Sequence, residues 1–313
     1  MMKDRIYIRS CSCISAQDTF ASPAWAESIR SPENGLYRCM EPDYRDIIDP
    51  AFLRRMNRVQ KFGLCTALNS LRDVDARLDA IIFATGWGCI DSTYRFLERL
   101  FDQKELPVNP AVFIQSTHNT IAAQTAIYLK NKSFNSTISD NRLPFELAMD
   151  NAILCLQDSD SRNILLGACD ELTPQLLDIL NRISKFGKPE PLYGEGGACF
   201  ILSKEEENGI AEIRYFASIP GRDMPETVND LSVRYSIDYI FTLHSNGFFP
   251  DDIPQIQYTN YFGDFPTCAA CGFWLALDCL NSKNPPIPCA RNILLVSENK
   301  HGMAFITVVG KIF

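Results

Sequence analysis

The sequence predicts an α/β protein in which a duplicated, mostly parallel β-sheet is layered with helices. Four nearly continuous apolar runs, IIFAT, NILLGA, IDYIFTL and NILLVS, lack the polar alternation of half-exposed strands. Strands of this composition are buried on both faces, which requires helices above and below the sheet. Identical RNILL pentapeptides begin at Arg162 and Arg291 and open two of these runs, so the pattern occurs twice.

The similarity between the two copies extends beyond the pentapeptide. The segments that start at Asp79 and Asp238 each combine an acidic residue, a buried strand and a glycine-containing loop. Each is followed by an apolar helix, TIAAQTAIYL from Thr120 and TCAACGFWLALDCL from Thr267, before its RNILL strand. We therefore expect these two helices to be equivalent elements of a repeated strand–helix–strand unit.

The boundary between the copies is predicted in the segment 186–209, which is rich in glycine and proline and ends in an acidic turn. This predicts an N-terminal half over residues 1–205 and a C-terminal half over residues 206–313, packed as one compact unit. The first half contains the longer connection to its RNILL strand, which indicates an insertion there.

Composition predicts a cytoplasmic globular protein. The chain has 313 residues, 46% of them hydrophobic, which is enough to bury a substantial core. No apolar stretch reaches the roughly 18 residues of a membrane-spanning helix, and the N-terminus is charged, so we expect no membrane anchor. The twelve cysteines are expected to be free thiols, and the net charge of −8 argues against nucleic acid as a partner.

Several sequence pieces, taken in order, carry a resemblance to a known family. They are HNTIAAQTAIYL with FNSTIS (118–139), NILLGACDELT (163–173), YGEGGACFIL (193–202), IDYIFTLHSNG (237–247) and the C-terminal strand pair. In this order they resemble the ketosynthases of the thiolase superfamily, which condense acyl chains held on acyl carrier proteins. The resemblance covers most of the chain from about Asp79 onward and implies a thiolase-like, layered αβαβα fold.

The resemblance implies a catalytic cysteine that this sequence does not contain. An active ketosynthase attacks its acyl thioester with a thiolate at a helix N-terminus, where the helix dipole lowers the thiol pKa. Here the strand 135–139 leads to that point, yet no cysteine lies between Cys89 and Cys155, and Arg142 falls where the cysteine is expected. The same turn also fits a simple helix start capped by Asp140 or by its neighbour Asn141.

The histidines of the family are altered as well. The first is expected after IDYIFTL, where direct counting gives Leu243 and a shift of one residue gives His244. His244 could polarise a carbonyl, or it could be an ordinary histidine at a strand end. Asp264 replaces the second histidine and cannot donate a hydrogen bond unless burial keeps it protonated. Near the C-terminus Gly302 matches a glycine whose N–H helps to form the oxyanion hole, whereas His301 replaces a neighbouring glycine.

Further residues are predicted to line a pocket or a subunit interface: His118, Asn119, Thr137, Asn246 and Gly302. For His118 an ordinary capping or core hydrogen bond is the competing interpretation. The segment 115–139 is predicted to form the interface, because the equivalent strand and helix pair subunits in the family that the chain resembles.

The spacing of Cys268 and Cys271 also fits a zinc or redox site, with Cys11 and Cys13 as further thiols. Close packing inside an Ala/Gly-rich helix explains this spacing more simply, and a metal would require the N-terminus to fold back onto the helix. We therefore predict neither a metal nor a cofactor.

Within the family the sequence is most similar to the cysteine-less chain length factors and to ketosynthase-like proteins of aryl polyene and flexirubin-type clusters. This predicts a non-catalytic subunit that pairs with an active ketosynthase, or with itself, and works with an acyl carrier protein in fatty-acid or polyketide biosynthesis. Two alternatives stay open. One is a malonyl decarboxylase or acyltransferase that uses His244, and the other is a degenerate thiolase-fold homodimer with an unknown ligand.

Overall fold

The computed structural model of the chain describes residues 4–22, 24–102, 110–158, 160–184, 192–243, 249–282, 285–288, 290–299 and 302–312. Within these residues the strands are β1 (Ile6–Ile14), β2 (Leu36–Tyr37), β3 (Ala80–Thr85), β4 (Phe134–Ser139), β5 (Asn163–Asp170), β6 (Tyr193–Gly194), β7 (Gly196–Ser203), β8 (Ala211–Pro220), β9 (Tyr239–Thr242), β10 (Gln255–Gln257), β11 (Asn292–Glu298) and β12 (Met303–Gly310). The helices are α1 (Pro50–Leu53), α2 (Arg58–Leu71), α3 (Ile90–Asp102), α4 (Pro110–Ser116), α5 (Thr120–Tyr128), α6 (Pro144–Asp158), α7 (Pro174–Ser184), α8 (Met224–Tyr235), α9 (Thr259–Phe262) and α10 (Cys268–Asn281).

The main sheet confirms the predicted duplication. Its described strands lie in the order β10-β9-β11-β12-β8-β1-β7-β5-β3-β4, which is symmetric about the contact between β8 and β1. On one side β3 is parallel to β4 and β5, and β7 is antiparallel to β5. On the other side β9 is parallel to β10 and β11, and β12 is antiparallel to β11. The described strands divide between β7, which ends at Ser203, and β8, which begins at Ala211.

The repeated sequence motif makes the same contacts in both copies. One carboxylate oxygen of Asp79 accepts hydrogen bonds from the backbone N–H of Arg162 (2.8 Å) and of the next residue (3.2 Å). Asp238 accepts the corresponding bonds from Arg291 (2.7 Å) and the next residue (3.0 Å). The acidic residue before one strand thus fixes the start of the neighbouring parallel strand, which explains why the two motifs recur together.

The predicted equivalence of the two apolar helices is wrong. The counterpart of α10 is α6, because each connects the third and fourth strands of its copy, whereas α5 precedes β4. The insertion in the first copy contains α3, α4 and α5, while the described residues between β9 and β10 form no helix. The two helices are alike in apolar composition although α10 is buried along nearly its whole length and α5 covers the sheet with one face only, so composition alone does not report topological position.

The helices form the predicted five layers with the sheet. Helix α10 contacts strands of both copies and also contacts α6, so these two helices make the central layer. Helices α2 and α5 cover the outer face of the first copy, and α8 covers that of the second. The αβαβα architecture is confirmed, and β3 and β5 are buried along their whole length, as strands between two helical layers must be.

Local sequence explains the start of helix α2 and the close packing of helix α10. Helix α2 starts at a capping box, in which the side chains of Asn57 and Gln60 each bond to the backbone N–H of the other residue. Helix α10 contains Gly272, where an added Cβ would lie 2.7 Å from the ring of Tyr258, so a small residue is needed for close packing.

Among the described residues, none of the helices has the length and apolarity required to cross a bilayer.

Candidate functional site

A cavity of about 280 Å³ opens at the carboxyl ends of β4, β9 and β11, beside the first turns of α6 and α10. Ligands of layered α/β proteins commonly bind at the carboxyl ends of parallel strands, where loops of different elements converge. The walls are mostly apolar and include Trp87, Phe265 and Pro266. Residues from both copies line the cavity, so it lies where the two copies meet.

The structure brings together three positions that the sequence identifies as altered catalytic residues. Arg142 from the first copy and Leu243 and Asp264 from the second all line this cavity. His244, the alternative to Leu243, lies outside the described residues. The positions to which the resemblance assigns altered catalytic residues thus line one cavity, and their assignment stays a prediction.

The turn between β4 and α6 carries a cap where a nucleophile is expected. The carboxylate of Asp140 accepts hydrogen bonds from the backbone N–H groups of Arg142 (2.8 Å) and Leu143 (2.9 Å). This agrees with the interpretation of Asp140 as a helix-start cap. Pro144 follows as the first residue of α6, a position that tolerates proline because its N–H would have no partner within the helix. The guanidinium of Arg142 stays protonated and cannot act as a nucleophile.

Asp264 is held by the GEGG stretch through backbone contacts. Its N–H donates to the carbonyl of Leu192 (2.6 Å), and its carbonyl accepts from the N–H of Gly194 (3.1 Å). Gly263 has a φ of +77°, and an added Cβ there would lie 2.7 Å from Gly194. The glycines permit this close approach of two backbones, so they position Asp264 at the cavity.

Asp170 links the cavity wall to the sheet and escaped the sequence analysis. Its buried carboxylate accepts hydrogen bonds from the Thr85 hydroxyl (2.7 Å), the Gly86 and Trp87 N–H groups (3.0 and 2.8 Å) and the Thr267 hydroxyl (2.9 Å). Burial raises the pKa of Asp170, and these hydrogen bonds oppose the rise. The aspartate thereby ties the loop after β3 to the start of α10 in the other copy. An acidic residue that ends a fully apolar strand was the available signal.

Cys268 lines the cavity, whereas the sequence suggested either a packing residue or part of a metal or redox pair with Cys271. It is the first residue of α10 and is 2% exposed. Burial raises its pKa well above the ordinary value, and the charge of Asp264 acts in the same direction. The thiol is thus held in its protonated, weakly nucleophilic form.

Cys271, by contrast, is packed away from the cavity. Its Sγ lies 3.8 Å from Sγ of Cys13, so β1 does reach α10, as the metal hypothesis required. The hydrogen bond with Cys13 is the larger cause, and burial the second, of a pKa of Cys271 well above its ordinary value. A high pKa disfavours the thiolate that a metal needs. Among the described residues no group of three or more Cys, His, Asp or Glu side chains is arranged to hold a metal ion.

His118 and Asn119, two predicted pocket or interface residues, lie on the surface. Both are exposed and neither lines the cavity. The ring of His118 instead covers Gly88, where an added Cβ would lie 2.5 Å from it. Their predicted role at an interface stays a prediction, and Asn246 lies outside the described residues.

Thr137 and Gly302, the remaining predicted residues, occupy different environments. Thr137 lies on β4, and its buried Oγ1 has no hydrogen-bond partner among the described residues. Gly302 is exposed in the turn between β11 and β12, has a φ of +78°, and donates its N–H to the carbonyl of Asn299 (3.2 Å). That N–H is therefore engaged in the turn. His301 lies outside the described residues.

A duplicated αβαβα fold with a cavity between its copies defines a thiolase-like protein. Residues 25–187 match the family described as "Beta-ketoacyl synthase, N-terminal domain", and the chain belongs to this family. No curated protein matches the sequence.

Solved structures of low sequence identity share the fold. The chain is similar to the ishigamide ketosynthase/chain length factor, with a TM-score of 0.76, 15% identity, and coverage of 99% of this chain and 100% of that chain. It is also similar to a type II polyketide synthase acyl carrier protein in complex with its ketosynthase bound to the hexaketide. The TM-score is 0.76, the identity is 16%, and the match covers 99% of this chain and 100% of that chain. For a beta-ketoacyl synthase from Burkholderia phymatum STM815 the TM-score is 0.75 and the identity is 12%. That match also covers 99% of this chain and 100% of that chain. At this identity the similarity shows the fold.

Proposed function

We propose that this chain is a non-catalytic, chain-length-factor-like subunit that pairs with an active beta-ketoacyl-acyl carrier protein synthase. The observation that carries the proposal is the turn between β4 and α6, which has a capping aspartate, Asp140, and no thiol, beside a cavity that persists. A retained fold can supply an interface and pocket walls after its own chemistry is lost.

The chemistry of the cavity supports a non-catalytic role. A ketosynthase reaction requires a thiolate, whereas the pKa of Cys268 is raised by burial and by the acidic side chains around it. Asp264 replaces a histidine that, in its neutral form, would donate a hydrogen bond. Arg142 adds a fixed positive charge at the cavity, where no group of the described turn can attack a thioester.

The edge of the sheet supports a partner subunit. Among the described strands β4 has a neighbour, β3, on one side only, so its other side offers unpaired backbone groups. Phe134 on β4 is 54% exposed, and Ile127 on the preceding helix α5 is 58% exposed. Asn135 joins these two elements by donating a side-chain hydrogen bond to the carbonyl of Ala122 (3.1 Å). We propose that a ketosynthase, or a second copy of this chain, pairs along this edge.

The proposed heterodimer would work with an acyl carrier protein in fatty-acid or polyketide biosynthesis of the aryl polyene type. In this arrangement the partner supplies the nucleophile, while the present chain shapes the space into which the acyl chain extends. The fold similarity to a ketosynthase/chain length factor and to a ketosynthase in complex with its acyl carrier protein supports this assignment.

Copurification followed by a condensation assay tests the proposal. The chain is expressed with a ketosynthase encoded beside its gene, and the molar mass of the purified complex is measured by light scattering. We expect a 1:1 complex that condenses malonyl and acyl groups on acyl carrier protein, and no condensation by this chain alone. Condensation or decarboxylation by the isolated chain would contradict a non-catalytic role, and an exclusive homodimer would contradict the heterodimer.

A further inference from the structure

Glu146 is a buried carboxyl group that has no role in the features described above. It lies in the first turn of α6, is 6% exposed and lines the cavity. Neither of its carboxyl oxygens has a hydrogen-bond partner among the described residues. Buried polar groups in folded proteins are nearly always hydrogen-bonded, since an unsatisfied group costs on the order of 1–3 kcal/mol. An unpartnered carboxyl that faces a cavity therefore indicates a ligand.

Tyr258 makes the same cavity wall and is unpartnered in the same way. It is 1% exposed, and its hydroxyl has no hydrogen-bond partner among the described residues. A second, small cavity of about 20 Å³ shares Glu146, Tyr258 and Ser297 with the first and is also lined by Phe273 and Phe305. The two residues with unsatisfied polar groups thus line both the main cavity and the small one.

The surroundings decide the protonation state of Glu146. Burial raises its pKa to about 7, and the nearby charge of Asp140 adds to the rise. The pKa of Tyr258 is raised well above its ordinary value, mainly by burial. Below neutral pH Glu146 is then mainly protonated, and Tyr258 keeps its proton throughout this range, so both groups are O–H donors.

The charged side chains at the cavity do not supply the missing hydrogen-bond partner of Glu146. Arg142 lines the cavity from the turn before α6, but its side chain is exposed, and Asp264 lines it from the loop before α10. None of these groups bonds to Glu146 among the described contacts. Two neutral donors side by side in an apolar site suit an acceptor oxygen, as a protonated carboxylic acid beside a tyrosine can bind a carbonyl.

We propose that Glu146 and Tyr258 together donate hydrogen bonds to a ketone oxygen of an acyl chain that enters the cavity. This inference rests on the proposed function and adds the substrate class, an acyl chain that retains an unreduced keto group. The cavity volume of about 280 Å³ corresponds to roughly nine water-sized groups at about 30 Å³ each, which suits a short chain. The apolar walls would hold the hydrocarbon part.

Binding of matched probes to the isolated chain tests this assignment. The probes are the N-acetylcysteamine thioesters of 3-oxooctanoate and octanoate, which differ only in the ketone, together with octylammonium. Calorimetry at pH 6 and pH 8 gives their dissociation constants. We expect the 3-oxo probe to bind about tenfold tighter than the octanoyl probe at pH 6. The preference should shrink at pH 8, because ionised Glu146 no longer donates and repels the ketone oxygen.

Three variants separate the proposed contact from a general effect of burial. Glu146→Gln keeps an N–H donor and removes the titration, so the ketone preference should persist equally at both pH values. Tyr258→Phe removes one donor and should reduce the preference several-fold. Glu171→Gln is the matched control, since Glu171 is also buried and burial also raises its pKa to about 7, but it does not line the cavity. This control should leave the preference unchanged.

Equal affinity for the 3-oxo and octanoyl probes, or no binding of either at pH 6, would overturn the proposal. Tighter binding of octylammonium than of the 3-oxo probe at pH 6 would also overturn it, because Glu146 would then act as a carboxylate for cations at a pH where the proposal requires a neutral donor. Pairing with a ketosynthase is measured separately on the same variants. A chain that pairs but shows no ketone preference refutes only this inference, whereas failure to pair refutes the proposed function.

Discussion

At the scale of single residues, three of the buried carboxyl groups have three different environments. Glu195 is paired with arginine, Asp170 is surrounded by hydrogen-bond donors, and Glu146 has no partner among the described residues. Pairing and hydrogen bonding offset the cost of removing a carboxylate from water, so the first two stabilise the fold. The third has no such compensation and is best explained by binding.

Removal of the Glu195 charge should destabilise the protein strongly. Its carboxylate accepts two hydrogen bonds from the Arg58 guanidinium (2.5 and 2.7 Å) and one from the Leu172 N–H (2.9 Å). We expect Glu195→Gln to lower the free energy of unfolding by about 3 kcal/mol or more, because Arg58 loses its buried partner. Urea denaturation of the variant measures the loss.

The matched control is Glu41→Gln, which removes the partly exposed partner of Arg58 and should cost less than about 1 kcal/mol. Burial alone would raise the pKa of Glu195, but Arg58 outweighs it and holds the pKa below its ordinary value. The stabilisation is therefore complete above about pH 4.3 and is lost as the pH falls through the folded-state pKa. Equal effects of the two substitutions at pH 7 would refute this account of Glu195.

At the scale of elements, the duplicated acidic contacts fix the registers of two strand pairs. Asp79 joins β3 to β5, and Asp238 joins β9 to β11, each through two backbone N–H groups. The same short sequence therefore encodes the same strand start in both copies. Strand burial and these anchors act together, because apolar strands alone do not select one register.

Asp79→Ala and Asp238→Ala should destabilise the protein by similar amounts. Each change removes the acceptor for two backbone donors, so we expect a loss of about 1–2 kcal/mol per substitution. The two sites lie in opposite halves of the sheet, and the double variant should show the sum within about 0.5 kcal/mol. Urea denaturation of the three variants checks this. A large effect of one substitution and none of the other would show that the contacts are not equivalent.

Some elements and site positions could be predicted from the sequence, and others could not. Continuous apolar runs predict β3, β5, β9 and β11, because burial on both faces leaves a direct compositional trace. The cavity position of Arg142 and Asp264 follows from motif order. Glu146 could not be predicted as buried, because α10 and β11 of the other copy cover it, and local sequence carries no record of that packing. For the same reason Cys268 could not be distinguished from Cys271.

At the scale of the whole molecule, the symmetric strand order leaves β4 at one end of the described sheet. The exposed Phe134 and Ile127 lie at this edge, and Thr137 has a buried hydroxyl without a partner among the described residues. A subunit that pairs along β4 would satisfy the free backbone groups and cover the apolar side chains. Exposed sheet edges are otherwise a cause of aggregation.

Phe134→Lys should weaken pairing without unfolding the chain. A lysine on an edge strand opposes strand addition, and we expect at least tenfold weaker association with the partner. Val233→Lys is the control, because Val233 is 83% exposed on α8, at the outer face of the other copy. Analytical ultracentrifugation measures association, and thermal melts check folding. Unchanged association of Phe134→Lys would place the interface elsewhere.

The most direct test of the central claim is the intact mass of each subunit after the copurified complex is incubated with acyl carrier protein that bears an acyl group. We predict an acyl adduct on the partner ketosynthase and an unmodified mass for this chain, because the pKa of the Cys268 thiol is raised and the turn before α6 has no thiol. A stoichiometric acyl adduct on this chain that disappears in Cys268→Ser would contradict the account and identify Cys268 as a nucleophile.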